Sequence, residues 1–378
     1  MKLVFYSVVL NHHQAPVADE FYKLLGDEYC FVELINLGDT KGATDDYSKR
    51  PYLLRAWEST ESHEKAMELA RTAECCVFAG TDALSYEKER MKLGLLSFEM
   101  GERWLKQGIK SFASPRLWQW LKTYYLGGWN NKPLYKLCCS AFCSIDHYRL
   151  GTFKGKSYKW GYFTSISEDY SYFSKFQGVT NISARLMWCA RFIDWKHPEL
   201  PIHLADRLRK NGISFTLDMY GDGIMREALE QKSNELGLSD CVKFYGNIPN
   251  DQIHQAMQEH NIFLFTSDRG EGWGAVANEA MSEGCLLIGS DEIGAVPYLV
   301  NDGENGLIFK SRDLDSLYEK VDWAIEHSDV CLNIREAAKQ SMQNVWSPEN
   351  AAMSLLKLID NLKQGKDTPF DKGPCSPA

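Results

Sequence analysis

The sequence predicts an α/β protein of two doubly wound, Rossmann-like domains facing a cleft, with a C-terminal helix docking back. Three observations predict it. Apolar runs of strand length alternate with stretches whose apolar residues recur at helical spacing, strand then helix, along most of the chain. The runs are nearly continuous, as in Val4–Leu10 and Cys285–Gly289, which suits parallel strands covered by helices on both faces. The 378 residues also fit two domains of roughly 100–200 residues each.

In chain order, the first domain spans 1–165. Its expected strands are Lys2–Leu10, Cys30–Leu37, Cys75–Gly80, Gly94–Phe98, Leu137–Cys143 and Ser157–Phe163, with helices at Pro16–Leu25, Trp57–Ala73 and Pro115–Tyr125. Residues 166–181 are rich in Ser, Gly, Asp and Glu and read as a linker. The second domain, 182–347, alternates more cleanly. Strands Ala184–Arg191, Ser214–Tyr220, Cys241–Tyr245, Ile262–Thr266, Cys285–Gly289 and Gly306–Phe309 are separated by helices at Pro198–Lys210, Met225–Leu236, Asp251–Glu259 and Gly274–Glu283. Helical stretches Asp313–His327 and Val330–Gln343 follow. A last helix, 348–364, carries a stripe of Leu355, Leu356, Leu358, Ile359 and Leu362 and should therefore dock. The tail 365–378 is rich in Gly, Pro and Lys and is expected to be disordered.

With 44% hydrophobic and 25% charged residues, the chain is neither disordered nor fibrous. Its 42 basic against 51 acidic residues give a net charge of -9, so no nucleic-acid partner is expected. Apolar runs reach only about 6–9 residues, well short of the ~20 a membrane span needs. No small-residue cleavage site follows the first of them, so a cytoplasmic location is expected. The 11 cysteines agree. Cys75, Cys76, Cys138, Cys139, Cys143, Cys189 and Cys285 lie in apolar runs, as buried free thiols do in a reducing compartment. No Cys-x2-Cys pair is present, and neither a metal nor a cofactor is expected.

Charge is distributed unevenly. Residues 1–165 hold 22 basic and 19 acidic side chains, a balance of +3, while the rest carries -12. The stretch 103–145 holds seven basic residues and no acid, interleaved with Trp104, Phe112, Trp118, Trp120, Tyr124, Tyr125, Trp129, Tyr135 and Phe142. Two readings stay open. One is peripheral contact with an anionic membrane at its inner face, or with a phosphate-bearing ligand. The other is a helical pair with its aromatics in the core and its lysines solvated.

Open α/β sheets bind ligands beyond the carboxyl ends of their strands. In the second domain, the strand Ile262–Thr266 leads into Ser267-Asp268-Arg269-Gly270-Glu271-Gly272-Trp273-Gly274 and then a helix. Glycines at 270, 272 and 274 let the backbone approach a ligand, and the amides of Gly274, Ala275 and Val276 would face an anion. Glu271 in the loop and Glu279 in the helix offer two carboxylates at different depths, suited to sugar hydroxyls and a ribose diol. After the domain's first strand come Arg191 and Lys196, a fork and a point charge for a phosphate. Either alone reads as a surface charge; together with the helix start they suit a diphosphate.

The segment Glu271-Gly272-Trp273-Gly274-Ala275-Val276-Ala277-Asn278-Glu279 resembles the Glu-x7-Glu signature of retaining GT-B glycosyltransferases of the family 4 type, also called glycosyl transferases group 1. Arg191 with Lys196, Gly221-Asp222-Gly223, Phe244-Tyr245-Gly246-Asn247, Gly294-Ala295-Val296-Pro297 and Asn301-Asp302-Gly303-Glu304-Asn305-Gly306 match in order and spacing over about residues 184–310. The resemblance implies a GT-B fold and a metal-independent hexosyltransferase that moves a sugar from a nucleotide-diphosphate donor with retention. Arg191 and Lys196 would neutralise the diphosphate, Glu279 would hold the ribose and Glu271 the transferred sugar. Ala275 and Val276 would bind a phosphate or the sugar through their amides, and Tyr245, Gly246 and Asn247 would lie near the base. The acceptor would be a glycan or lipid-linked molecule of surface polysaccharide or glycolipid synthesis.

The first domain matches only in architecture. Asn11-His12-His13-Gln14-Ala15-Pro16 stands where many relatives have a glycine-rich turn, and Leu95–Arg103 where many carry a histidine. Glu99, or Glu102, is therefore expected to contact the sugar or acceptor, and His13, or His12, to line the acceptor side. A nucleotide-sugar epimerase or a phosphorylase on the same scaffold, and a non-catalytic nucleotide-sugar-binding protein, are the alternative readings.

Overall fold

The computed structural model describes residues 2–36, 47–168 and 184–378. The chain divides into two compact units, Met1–Thr164 with Trp346–Ala378, and Ser165–Val345. Among the described residues the first unit holds a seven-stranded parallel sheet in the order β3-β2-β1-β4-β5-β6-β7. Its strands are β1 (Leu3–Ser7), β2 (Tyr29–Glu33), β3 (Leu53–Arg55), β4 (Cys75–Ala79), β5 (Ser97–Gly101), β6 (Leu134–Cys138) and β7 (Ser157–Lys159). The fully buried runs LVFYS and CCVFA form its centre, with Leu3 opposite both Tyr29 and Cys75. Continuous apolarity is what burial on both faces requires.

Helices α1 (Ala15–Leu25), α2 (Thr60–Thr72), α3 (Leu84–Leu93), α4 (Pro115–Leu126) and α5 (Cys143–Leu150) connect these strands. Pro16 in the first turn of α1 suits a helix start, where its missing N–H costs nothing, and Val17, Ala18 and Phe21 turn inward. Helix α3 is absent from the sequence-based expectation because its buried face mixes Tyr86 and Met91 with Glu87 and Arg90, which hides the apolar period. Arg90 lies fully buried and donates to the carbonyls of Ala70, Ala73, Glu74 and Leu96, satisfying the open end of α2.

Strand β3 has no counterpart in the sequence-based expectation, and several strand boundaries differ from it, those of β5 and β6 for identifiable reasons. Gly94 is the left-handed cap of α3, with φ of 65°, so β5 begins only at Ser97. The run Leu137–Cys143 is not one strand. Ser140 accepts from the amide of Phe142 and through its carbonyl from Cys143, turning the chain into α5.

The second unit carries six parallel strands among its described residues, in the order β10-β9-β8-β11-β12-β13. They are β8 (Ala184–Cys189), β9 (Phe215–Tyr220), β10 (Val242–Gly246), β11 (Ile262–Phe265), β12 (Leu286–Ser290) and β13 (Leu307–Phe309). Helices α6 (Glu199–Lys210), α7 (Arg226–Glu235), α8 (Asn250–Glu259), α9 (Val276–Ser282), α10 (Val296–Leu299), α11 (Leu314–Glu326) and α12 (Ser328–Asn344) complete it. Leu186, Leu217, Leu264, Ile288 and Leu204 sit in a common core. The linker expected at 166–181 lies, from 169 on, outside the described residues.

Helix α13 (Pro348–Lys363) starts from the Ser347 hydroxyl, which accepts from the Asn350 amide, and packs on α1 within the first unit. The expectation of a disordered tail at 365–378 is corrected. Cys375 donates to the carbonyl of Lys159 at 2.7 Å, Lys159 to Ser376 at 2.8 Å and Ala378 to Ser157 at 3.1 Å, so the tail pairs along β7. Composition misled here because an outer strand with open hydrogen-bonding groups can order a segment of weak intrinsic preference. No helix among the described residues is long and apolar enough to cross a membrane.

Candidate active site

In the second unit, β8 lies between β9 and β11, so successive strands are laid down on opposite sides of it. Ligands of open α/β sheets bind at such a switch point, beyond the strands' carboxyl ends. The two loops that meet here are tied together. The indole of Trp188 donates to Thr266 Oγ1 at 2.9 Å, and that hydroxyl donates to the carbonyl of Lys196 at 2.7 Å. The Asp268 amide donates to the carbonyl of Trp195 at 3.0 Å. His197 lies between Glu199, at 2.8 Å, and Asp268, at 3.2 Å. The bond to Glu199 raises its pKa above the ordinary imidazole value, with Asp268 adding to the effect.

This clamp brings Lys196 and Glu271 together. The Lys196 ammonium donates to the Glu271 carboxylate, which also accepts from Ser267 Oγ at 3.2 Å. Both charged side chains are largely withdrawn from water, at 14% and 15% exposure. Arg191 is exposed, its guanidinium 5.7 Å from the centre of the Trp195 ring. Gly270 and Gly274 permit the close approach of the loop. A Cβ on Gly274, at φ of 91°, would lie 2.4 Å from the Phe265 ring, and one on Gly270 would lie 2.9 Å from Trp195 Cβ.

Ala275 and Val276 follow as the residue before α9 and its first turn. Glu279 within α9 is buried, and burial raises its pKa to about 7, with His254 opposing and Glu283 adding to the shift. Helix α9 is fixed from its far end. Lys339 donates to the carbonyl of Ser282 and Arg335 to that of Gly284, placing cations where the helix exposes carbonyls. At the end of β10, the exposed Tyr245 ring stacks on Tyr220 at 4.8 Å, and Gly246, at φ of 75°, accepts from the Gly221 amide. Asn247 follows, exposed. The turn 301–306 binds itself: Asn305 accepts from the Asn301 amide and donates to Leu299.

The other candidates lie in the first unit. Between β1 and α1, His13 stacks on Tyr162 at 5.8 Å; burial and the neighbouring His12 lower its pKa to about 3. Tyr162 donates to Glu102 at 3.0 Å, and Glu102 also accepts from Lys106. Glu99 on β5 accepts from Lys136 on β6 at 3.1 Å. The aromatics of 103–145 divide between the two readings: Tyr124 and Trp129 are buried, while Phe112, Trp118 and Tyr125 are exposed.

Sequence reasoning missed the residues that position Lys196 and Glu271, namely Trp188, Thr266, Ser267 and Asp268. The available signal was the abrupt change from the apolar Ile262–Phe265 to three successive hydrogen-bonding side chains. It also missed Glu87 and the fully buried Lys136; a lysine inside the run Leu134–Cys138 was visible as an anomaly.

Two parallel doubly wound sheets, one with a charged switch-point site, define the GT-B class of glycosyltransferase scaffold. Residues 183–341, most of the second unit, match the family described as glycosyl transferases group 1. The chain is 29% identical, over 36% of its length, to the GtfA subunit of a UDP-N-acetylglucosamine–peptide N-acetylglucosaminyltransferase from Streptococcus parasanguinis, covering 26% of that protein. It is 26% identical, over 43% of its length, to a GDP-mannose-dependent α-(1-6)-phosphatidylinositol monomannoside mannosyltransferase from Mycolicibacterium smegmatis, covering 42% of that protein. It thus spans less than half the length of either relative. The crystal structure of Anabaena HepE in complex with UDP superposes with a TM-score of 0.72 at 17% identity, covering 96% of this chain and all of that one.

Proposed function

We propose that the protein is a retaining, metal-independent hexosyltransferase. It moves a sugar from a nucleoside-diphosphate donor to a glycan or lipid-linked acceptor in surface polysaccharide or glycolipid synthesis. The observation that carries this is the tethering of Lys196 to Glu271 at the switch point, beside the exposed Arg191. A cation beside a carboxylate suits a ligand with a phosphate next to sugar hydroxyls. On this reading Arg191 and Lys196 neutralise the departing diphosphate, the role a divalent cation plays elsewhere. Glu271 then accepts from the transferred sugar, Glu279 from the ribose, and Ala275 and Val276 donate their amides, while Tyr245, Gly246 and Asn247 flank the base. Retention follows when departure and acceptor attack share one face of the sugar, a step that needs charge stabilisation and no covalent carboxylate. The first unit supplies the acceptor side, with Glu99 and His13 as its candidates. The mannosyltransferase relative, named for a phosphatidylinositol acceptor, supports a lipid-linked class.

Thermal unfolding with UDP, GDP, ADP, CDP and dTDP, each with and without EDTA, tests the proposal. One nucleotide should raise the midpoint regardless of EDTA, since a ligand at 100 times its Kd adds about 2.7 kcal/mol. No shift with any of the five would remove the donor site and with it the proposed activity.

A further inference from the structure

The first unit contains an open cavity of about 720 Å³ lined by α3, α4, β5, β6 and the segment that joins β5 to α4. That is within the ~300–1,000 Å³ range of pockets that hold small ligands. Its charged part is built from Glu87, Glu99 and Lys136. Lys136 is fully buried and donates to one oxygen of Glu99. The other Glu99 oxygen, Oε2, and Glu87 Oε1 are buried without a hydrogen-bond partner, and Glu87 as a residue is only 4% exposed. Unpaired polar atoms at such depth are costly, so a ligand that hydrogen-bonds to them is favoured there.

The charge states narrow the chemistry. Burial, then the charge of Glu99, pushes the Glu87 carboxyl well above its usual range against the lowering charge of Lys136, which favours the protonated form, both a donor and an acceptor. Burial alone would lower the Lys136 pKa, but the carboxylate of Glu99 outweighs it and holds the ammonium charged. The cations around the cavity are mostly committed: Lys136 to Glu99, Lys106 to Glu102 and Arg103 to Asp146. An anion would therefore find few unpaired positive groups, and a hydrocarbon chain would leave the carboxyls without partners. A neutral polyol fits, because each hydroxyl both donates and accepts. Trp104 and Trp120, centred 4.0 Å apart at 86°, give the cavity aromatic walls against which a pyranose ring can lie.

We propose that this cavity binds a saccharide unit of the acceptor, its hydroxyls bonded to Glu87 and Glu99 and its ring against Trp104 and Trp120. The ligand's role as acceptor rests on the glycosyl-transfer reading above; its binding does not.

The test is titration of the full chain with methyl glycosides of glucose, galactose, mannose and N-acetylglucosamine and with maltose, cellobiose and lactose, followed by tryptophan fluorescence. At least one should give a saturable change, weakened tenfold or more by Glu87→Gln and by Trp120→Leu. Both variants should keep the parent's calorimetric unfolding transition of the first unit, which shows that the unit holding the cavity folds; Trp120 is only half-buried, so that variant serves if Glu87→Gln does not. No saturable change with any sugar, or a change of unaltered affinity in the folded variants, overturns the proposal. Saccharide binding that depends on Glu87 in a protein that no nucleotide stabilises would remove the donor reading and leave the cavity assignment standing.

Discussion

Lys196 and Glu271 serve as each other's counter-ion, so removing one changes the charge presented by the other. On the proposed function, Lys196→Ala leaves Glu271 facing the diphosphate uncompensated. Nucleoside diphosphate affinity should fall by about 1.5–3 kcal/mol, roughly tenfold to a hundredfold, measured by calorimetry. Glu271→Gln should act in the opposite sense on the nucleotide alone, freeing the ammonium, while weakening the full sugar donor. Equal losses from both changes would mark the pair as purely structural. Glu279 supplies a pH signature. Its folded-state pKa of about 7 lies above the ordinary 4.5, so folding favours the protonated form. That contribution, of order 3 kcal/mol, is fully present below about pH 4.5 and is lost as pH rises through about 7. His254, raised by its bond to Glu283, contributes with the same sign. The melting temperature of the parent should therefore fall between pH 5 and 8 relative to Glu279→Gln, which keeps the bond between His254 and Glu283.

At the scale of single elements, the sequence was most readable where burial is uniform. β1, β4 and β12 are buried at every position, and their continuous apolar runs announce them. It was least readable where charge is buried in pairs or networks. Arg90 and Lys136 carry solvent-facing chemistry at core positions, and their partners come from other elements, which local spacing cannot reveal. The candidate site divides in the same way. Glu271, Glu279, Arg191 and Lys196 were named from motif and strand ends, whereas the clamp of Trp188, Thr266 and Asp268 depends on two loops 70 and more residues apart. Helix α4 and the turns beside it make a further expectation measurable. Ile109, Trp118 and Leu126 are 89%, 55% and 79% exposed among the exposed lysines 110 and 122. Liposomes containing anionic lipid should retain the protein at low salt and release it as salt rises, with Trp118→Ala weakening retention. Retention unaffected by salt or by that substitution would count against this surface.

For the whole molecule, the C-terminal segment decides how the first unit is completed. Deleting residues 365–378 uncovers β7 and removes the three backbone bonds described above. At about 1 kcal/mol each, the midpoint of the first unit should drop by roughly 6–12 °C. The nucleotide-dependent shift of the second unit should persist. A single unchanged transition in calorimetry would contradict this division of stability.

The same segment sets a timetable. The second unit is one continuous piece of chain, whereas the first is assembled from both ends of the sequence. On the ribosome, the earliest residues to emerge cannot acquire α13 and the tail until the whole intervening unit has been made. At about 5–20 residues per second that wait is on the order of ten to forty seconds. During it, the α1 face and the edge of β7 remain uncovered, a natural point of engagement for chaperones. The later-made unit can therefore reach its native state first.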